Sequence, residues 1–197
     1  MHRVKVFVST DGTEQNGYLF TDDNFKSIKF SHQLMDTSFD ITPGVIEQYA
    51  QIVLKDKDKS IRNLAASGVL GKDMKVFVYI DNVLYQTYLT STWDIQGQNS
   101  TVTLNCNDPC KKLENIQIST EGVANYTLWG LFSKAFTAAG YSWDRANSQV
   151  SDILIYTTCK NTYIQFQDAL TFLKKLCVVG FFRVYWNKDR FMIARCM

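Results

Sequence analysis

Two strand-like segments separated by a two-residue turn constrain the fold of this chain more than any other feature. Residues 74–80 (MKVFVYI) and 83–93 (VLYQTYLTSTW) are rich in β-branched and aromatic residues, the types that favour strands. Asp81 and Asn82 lie between them, and Asn tolerates the positive φ that a tight hairpin turn requires. The pattern therefore predicts a β-hairpin near the middle of the chain.

The sequence on both sides of this hairpin predicts further strands. Period-two alternation is clear in residues 3–9 and 100–105, and residues 25–41 have the spacing of a longer strand. Residues 45–54 fit a strand or a helix by pattern alone, and their β-branched content favours a strand. Because 14% of all residues are aromatic, a β-rich chain is also what the composition indicates.

Two short helical segments interrupt these strands. Residues 59–66 are predicted to form a helix, with Asp58 as its N-cap and Gly68 after its end. Asp108 and Pro109 are predicted to open a helical turn, with Pro109 at the first helical position.

The hydrophobic period changes near residue 118. Apolar residues recur at helical spacing over residues 128–139 and 166–177, and Gly140 and Gly180 follow these two segments. Further short strands are predicted at residues 153–157, 181–186 and 190–194. The predicted fold class is α+β, with a β-rich, barrel-like domain at residues 1–117 and a small two-helix α+β domain at residues 118–197.

The cysteines and histidines do not form a recognisable metal site or catalytic pair. The five cysteines are Cys106, Cys110, Cys159, Cys177 and Cys196, and the two histidines are His2 and His32. Cys106 and Cys110 have the spacing C-x3-C, but no second pair follows at ligand spacing. We therefore interpret the cysteines as free, buried residues of a protein made in a reducing compartment.

The acidic residues are also interpreted as structural. The candidate acids are Asp22, Asp23, Asp56, Asp58, Asp108 and Glu114. Asp56 and Asp58 alternate with lysines, as in a solvated loop, and a glycosidase-like acid pair stays an alternative. Dinucleotide-binding, phosphate-binding and nucleophile-elbow motifs do not occur. We predict no catalytic, cofactor-binding or metal-binding residue, no cofactor and no enzymatic activity.

Charge and hydropathy exclude two further classes. The net charge of +2 gives no electrostatic argument for nucleic-acid binding. No apolar run approaches the ~20 residues of a membrane span. The first residues, MHRVKV, alternate like a strand and lack the apolar core of a signal peptide. We therefore expect no signal peptide.

The order of strands, turns and helices resembles that of the tail-hub (baseplate-hub) proteins of tailed phages and related contractile injection machines. The N-terminal barrel of that family is similar to residues 39–115, where the final strand and helical turn read VTLNCNDPCKKLEN. The two predicted helices, with Gly180 and the aromatic hairpin after it, resemble the α+β segment that follows in hub proteins. The resemblance covers most of the chain.

This resemblance implies a structural virion protein that joins the tail tube to the tip. The expected partners are other tail or baseplate proteins, such as the tube and the tip or spike, and further copies of the chain. In larger hub proteins a second barrel completes a pseudo-sixfold ring in a trimer, so a trimer is suggested here. The expected location is the virion tail, after synthesis in the host cytoplasm.

The residues also leave open a carbohydrate- or cell-wall-directed binding module or enzyme. Tyr79, Tyr85, Tyr88 and Trp93 lie on the central hairpin and could form a saccharide-binding platform, or be core and interface residues. Asp94 follows Trp93 and is the acid to test with it. A bacterial cytosolic protein with a β-rich domain is a third alternative.

Overall fold

The structure is a computed structural model that describes residues 3–34, 43–95, 100–118, 125–146, 148, 158–160 and 167–196. The strands are β1 (Val4–Ser9), β2 (Gly17–Phe20), β3 (Phe25–Leu34), β4 (Gly44–Lys55), β5 (Lys75–Ile80), β6 (Val83–Ile95), β7 (Thr101–Asn107), β8 (Gln117–Ile118), β9 (Asn125–Thr127), β10 (Thr158–Lys160), β11 (Gln167–Asp168), β12 (Phe182–Asn187) and β13 (Arg190–Arg195). The α-helices are α1 (Ser60–Ala66), α2 (Leu128–Ala138) and α3 (Ala169–Gly180), and 3₁₀ segments span Asp22–Asn24 and Pro109–Asn115.

The chain forms two compact units. Unit 1 comprises Met1–His32 and Gln48–Asp108, and unit 2 comprises Gln33–Glu47 and Pro109–Met197. The predicted α+β class is confirmed. The predicted domains, residues 1–117 and 118–197, stay a prediction.

Unit 1 is built on one antiparallel sheet. Its strands follow the order β4-β7-β6-β5-β1-β2, and β3 pairs with β4. Alternate residues face a core whose fully buried members are Val6, Val8, Ile52, Leu54, Val76, Val78, Val102 and Leu104. Within the described residues β2 pairs only with β1, so this sheet is open and "barrel-like" describes it only loosely.

The central hairpin forms as the sequence predicts. β5 and β6 pair in antiparallel register from Ile80 and Val83 at the turn, with a register shift after Val78. Asp81 and Asn82 have φ values of 51° and 65°. Positive φ at both turn positions is the requirement of the type I′ turn, whose twist matches that of paired strands. The local sequence therefore determines this turn.

Helix α1 is capped by a different residue from the one predicted. Lys59 occupies the N-cap position in a left-handed conformation with φ of 64°. The buried carboxylate of Asp56 accepts hydrogen bonds from the backbone N–H groups of Ile61 (2.9 Å) and Arg62 (3.3 Å). Among the described residues, Asp58 accepts from Ser60 alone, at the exposed surface. The prediction of Asp58 as the cap was wrong because the left-handed Lys59 lets the chain fold back towards Asp56.

Unit 2 places α2 and α3 against β12, β13 and the first residues of β4. Residues Gly44 to Ile46 of β4 pair in parallel with β12, and β12 pairs antiparallel with β13. The N-caps of α2 and α3 are Thr127 and Asp168, whose side chains accept from Gly130 N and Thr171 N. Both amphipathic helices predicted from the sequence are therefore confirmed, with the second starting at Ala169 rather than residue 166.

Aromatic rings form the core of unit 2. Phe191 stacks on Phe136 at 4.5 Å between ring centroids and meets Trp186 edge-on at 5.0 Å. Phe132 meets Phe182 edge-on at 5.9 Å. Offset and edge-on arrangements are the favourable ones for aromatic pairs, and they add specificity to the burial of these rings.

The end of α3 differs in detail from the prediction that Gly180 stops the helix. α3 includes Gly180, and Phe181 adopts the left-handed conformation with φ of 54° while its N–H donates to the Cys177 carbonyl. Gly180 is required for space, since a Cβ there would lie 2.2 Å from the Cε2 atom of Phe182. The glycine thus allows the buried Phe182 ring to pack against the helix end.

The outer edge of β13 is covered by the segment after α2. Phe191 N–H donates to the Ser142 carbonyl, and Asp144 N–H donates to the Phe191 carbonyl. The Ser148 hydroxyl accepts from Ile193 N–H. These bonds satisfy backbone groups that would otherwise invite pairing with another chain.

Two predicted segments fall partly or wholly outside the described residues. The strand predicted at residues 153–157 lies outside them, and so does the end of the strand predicted at residues 25–41, beyond Leu34.

Candidate interaction surface

The two cysteines of the C-x3-C pattern lie in different cores. Cys106 belongs to the core of unit 1, and Cys110 belongs to the core of unit 2. Burial raises the pKa of the Cys106 thiol well above its usual range, which disfavours the thiolate that metal binding requires. Within the described part of the chain, no group of three or more His, Cys, Asp or Glu residues could hold a metal ion.

The histidines contribute no described side chain to a site. His32 lies in β3, but its side chain is outside the described residues, as is all of His2. The predicted absence of a Cys–His pair therefore stays a prediction for these two residues.

The candidate acids have separate structural roles. Asp22 accepts from Val4 N–H at 2.9 Å, and Glu114 pairs with Lys111 at 2.7 Å. The buried Asp108 carboxylate accepts from Gln48 N–H at 2.9 Å, while the Gln48 carbonyl accepts from Asp108 N–H. Each of these three carboxylates holds a backbone N–H group or a neighbouring side chain.

The four hairpin aromatics do not share an exposed face. Tyr88 is buried in the core of unit 1, where it stacks on Phe30, and Trp93 donates its indole N–H to the Gly71 carbonyl at 3.1 Å. Tyr85 also contacts Phe30, at 5.1 Å between ring centroids. Tyr79 lies on the other face of the sheet from Tyr88. The structure therefore favours core and packing roles over a saccharide platform at this hairpin.

A polar ladder crosses the outer face of β4, β7 and β6. Gln51 donates to the Asn105 side-chain carbonyl at 3.2 Å, and the Asn105 amide donates to Thr92 (3.0 Å) and Asp94 (2.6 Å). A shallow groove of about 320 Å³ lies beside it, lined by Lys29, Ser31, Tyr49, Ala50, Gln51, Asn105, Cys106 and Asn107. The ladder presents hydrogen-bonding groups that are held in place by one another.

The outer face of β1 and β5 is more apolar than the face that carries the polar ladder. A groove of about 380 Å³ on this face is lined by Lys5, Phe7, Glu14, Leu19, Tyr79 and Asn82. The Tyr79 hydroxyl donates to the Glu14 carboxylate, which ties the β1–β2 loop to the sheet. Burial, together with the neighbouring Glu14 carboxylate, raises the pKa of the Tyr79 hydroxyl.

The β1–β2 loop is held by its own side chains. Asp11 accepts hydrogen bonds from Thr13 N–H (2.9 Å), the Thr13 hydroxyl (2.7 Å) and the Asn16 amide (2.6 Å). These bonds lower the pKa of the Asp11 carboxyl below its usual range. Gly17 then closes the hairpin, where an added Cβ would lie 2.1 Å from the Val8 carbonyl oxygen. The loop and the close packing at Gly17 thus hold β2 beside β1.

Strand β2 ends the sheet of unit 1 with an exposed apolar residue. Leu19 is 56% exposed and lies opposite Phe7 in the register. Edge strands usually carry charges or prolines that prevent pairing with another chain, whereas β2 reads GYLF. The sequence shows a turn at Asp11 and Gly12, but our sequence interpretation did not identify β2 or its position at the sheet edge.

Unit 2 carries a second exposed apolar patch, at the end of α3. Val178, Val179 and Phe181 are 58%, 80% and 58% exposed. Val178 and Val179 extend the apolar run beyond the stripe that faces the core, which is the sequence signal for this patch. Patches of this kind are typical of contact surfaces.

No helix in the described part of the chain has the length and apolar character needed to span a membrane.

Comparison with known proteins identifies similar folds. No family model matches the chain, and no curated protein does. The 43 kDa tail protein of prophage MuSo2 from Shewanella oneidensis superposes with a TM-score of 0.62 and 11% sequence identity, over 100% of this chain and 56% of that protein.

Two further solved structures agree with it. A tail protein from Neisseria meningitidis has a TM-score of 0.57 and 13% identity, over 97% of this chain and 49% of its own. A prophage tail protein from Listeria monocytogenes has a TM-score of 0.58 and 11% identity, over 98% and 50%. The chain spans about half the length of these proteins, and it has the fold of phage and prophage tail proteins.

Proposed function

We propose that the chain is a structural component of a phage or phage-like tail, and that it forms a symmetric hub joining the tail tube to the tip. The observation that carries the proposal is the similarity in fold to three tail proteins over nearly the whole chain. The order of elements that resembles hub proteins in the sequence supports the more specific hub role.

The surfaces of both units agree with an assembled protein. Unit 1 has a sheet edge at β2 that no further described strand covers, with the exposed Leu19, and unit 2 has the apolar patch of Val178, Val179 and Phe181. Permanent interfaces bury apolar and aromatic residues of this kind. A closed homo-oligomer is the expected arrangement for copies of one chain, and a trimer is the form that the hub resemblance suggests.

The proposed role is structural rather than catalytic. Described acids such as Asp56 and Asp108 hold backbone N–H groups, and the Cys106 thiol is buried in a core, where burial raises its pKa. These groups stabilise the fold. The proposed partners are other tail proteins, and the proposed location is the virion tail.

Purified tails provide the test of this proposal. The tagged chain is expected in tails isolated from a lysate, and deletion of its gene is expected to leave heads without functional tails. Native mass spectrometry of the isolated chain is expected to give a closed oligomer. A strictly monomeric chain that is absent from purified tails would contradict the proposal.

A carbohydrate-directed binding module is the second candidate function. The polar ladder of Gln51, Asn105 and Asp94 supports it, because amide and carboxylate groups fixed in this way can bind saccharide hydroxyls. A glycan array compares the wild-type chain with Asp94→Ala and, as a control on the opposite face, Trp93→Phe. Binding that Asp94→Ala alone abolishes would support this function, and absence of binding and of turnover on cell-wall substrates would remove it.

A further inference from the structure

The hydrogen-bonding pattern of the β1–β2 hairpin determines which backbone groups of β2 point away from the sheet. Thr10 N–H donates to the Asn16 carbonyl at 2.9 Å, and the two residues lie opposite each other at the start of the loop. Hydrogen-bonded and non-bonded pairs alternate along an antiparallel ladder. Tyr18 therefore bonds to β1, while the N–H and C=O groups of Leu19 point outward.

The outward-pointing backbone groups near Leu19 differ in whether they already have a hydrogen-bond partner. Thr21, two residues further on, has its N–H satisfied by the Asn24 side chain at 2.9 Å. Gly17 and Leu19 have no such side-chain cap among the described residues, and no described strand pairs with β2 on that side. The Thr21 N–H is thus already bonded, whereas the outward backbone groups of Gly17 and Leu19 are available. They form a short edge for strand pairing, centred on Leu19.

The side chains beside this edge add an apolar surface. Leu19 lies next to Phe7 on the outer face, and both line the groove that the β1–β2 loop borders. A strand added beside β2 would place alternate side chains on this face, where cross-strand neighbours of Leu19 are in contact range. Backbone hydrogen bonds and an apolar contact are thus offered together.

We propose that the β2 edge binds an extended segment of another tail protein by strand addition, with an apolar side chain of that segment beside Leu19. This inference rests on the proposed role in a tail. An edge of four residues is about 13 Å long. Such an edge is too short for the area of roughly 1,000 Å² that a stable pair of globular copies needs. An extended segment of a protein that is anchored elsewhere in the tail requires no more than this edge.

Hydrogen exchange of the chain alone and in purified tails tests the proposal at residue resolution. Leu19 N–H is expected to exchange rapidly in the isolated chain and at least about 100-fold more slowly in tails, because a new backbone acceptor protects it. Tyr18 N–H, which bonds to β1, is the internal control and stays slow in both. Rapid exchange of Leu19 in tails that contain the chain would overturn the inference, whereas absence of the chain from tails would overturn the proposed function as well.

Two substitutions separate backbone pairing from side-chain contact. Leu19→Pro removes an N–H that points away from β1, so the isolated chain is expected to unfold near the wild-type temperature. Its incorporation into tails is expected to fall at least about tenfold, since each 1.4 kcal/mol of lost interaction is a factor of ten. Leu19→Thr keeps the N–H but loses most of the apolar contact, so its incorporation is expected to fall less than that of Leu19→Pro. Normal incorporation of a folded Leu19→Pro chain would overturn the proposal.

A photo-crosslinker identifies the occupant. p-Benzoylphenylalanine in place of Leu19 is expected to give, in tails, a crosslinked product with a different tail protein. A product of twice the chain mass would show pairing with a second copy and would overturn the assignment to another protein. Loss of the product after Leu19 is restored controls for crosslinks made elsewhere.

Discussion

Removal of the Asp56 carboxylate is the sharpest test of how unit 1 is stabilised. Asp56 is 1% exposed, and its two oxygens hold Ile61 N–H at 2.9 Å, Arg62 N–H at 3.3 Å and the Arg62 guanidinium at 3.5 Å. Its own N–H donates to the Ser100 carbonyl at 2.7 Å. Asp56→Ala therefore leaves the first turn of α1 without its buried acceptor.

The expected loss follows from these contacts. A hydrogen bond to a charged group contributes about 1.5–3 kcal/mol, and the longer bond to Arg62 adds about 0.5–1 kcal/mol. Asp56→Ala should thus lower the free energy of unfolding by about 2–4 kcal/mol. For a protein of this size, about 3 kcal/mol corresponds to a decrease in Tm of roughly 6–12 °C. Asp56→Asn keeps one acceptor oxygen and should give an intermediate loss.

Asp58→Ala is the matched control, because Asp58 lies two residues away and was the cap predicted from the sequence. Within the part of the chain that the structure describes, its carboxylate bonds to Ser60 alone, at the exposed surface, so its removal should change the Tm little. Urea unfolding gives the free energies, and hydrogen exchange at the Ile61 amide reports on the helix start. Equal losses for Asp56→Ala and Asp58→Ala, with Ile61 protected in both, would refute the reasoning.

Four other results are expected. Gly180→Ala places a Cβ 2.2 Å from the fully buried Phe182 ring and should cost about 1–3 kcal/mol of stability, measured by urea unfolding. Phe182→Leu in the same chain should recover part of that loss. A double variant whose loss equals the sum of the two single losses would contradict the steric cause. The buried Tyr88 hydroxyl has no hydrogen-bond partner among the described residues, so Tyr88→Phe should leave stability unchanged or raise it by about 1 kcal/mol, and a clear loss in urea unfolding would argue against this. Burial works against ionisation of Asp168, but its hydrogen bonds from Thr171 outweigh this and lower its pKa below 3.8. The stability that these bonds contribute is present above the pKa of the unfolded state and is lost as the pH falls through the lower folded pKa. An Asp168→Asn variant should therefore lose less stability than the wild type between about pH 4 and pH 2. Burial raises the pKa of the Cys177 thiol to about 12, so iodoacetamide at pH 8 should modify it only in urea, as peptide mass spectrometry can show.

Local patterns in the sequence determined much of the secondary structure. The β5–β6 hairpin follows from β-branched and aromatic alternation around Asp81-Asn82, whose positive φ values the turn requires. Helix α2 follows from an apolar stripe and the glycine after it, Gly140, with φ of 74°. These features depend on residues a few positions apart, which is why the chain itself reveals them.

Tertiary structure decided which residue caps α1 and which face each hairpin aromatic occupies. Asp56, not Asp58, accepts from the first N–H groups of α1, because the left-handed Lys59 turns the chain back towards Asp56. The local sequence pattern did not indicate this conformation of Lys59. Tyr79 and Tyr88 fall on opposite faces because Tyr88 pairs with Val76, which lies three residues from Tyr79 in β5, and successive side chains of a strand point to opposite faces. This pairing register depends on which face of the sheet is buried.

The sequence by itself determined the fold class, the two amphipathic helices and the absence of familiar catalytic motifs, since these rest on composition and short-range periodicity. Only the tertiary structure decided that Cys106 and Cys110 lie in separate cores and that, among the described strands, β2 forms an open edge at Leu19. Strand order is set by contacts between residues far apart in the chain, and an edge exists only where such contacts end. The surface through which this protein is proposed to join its neighbours is therefore a property of the folded sheet.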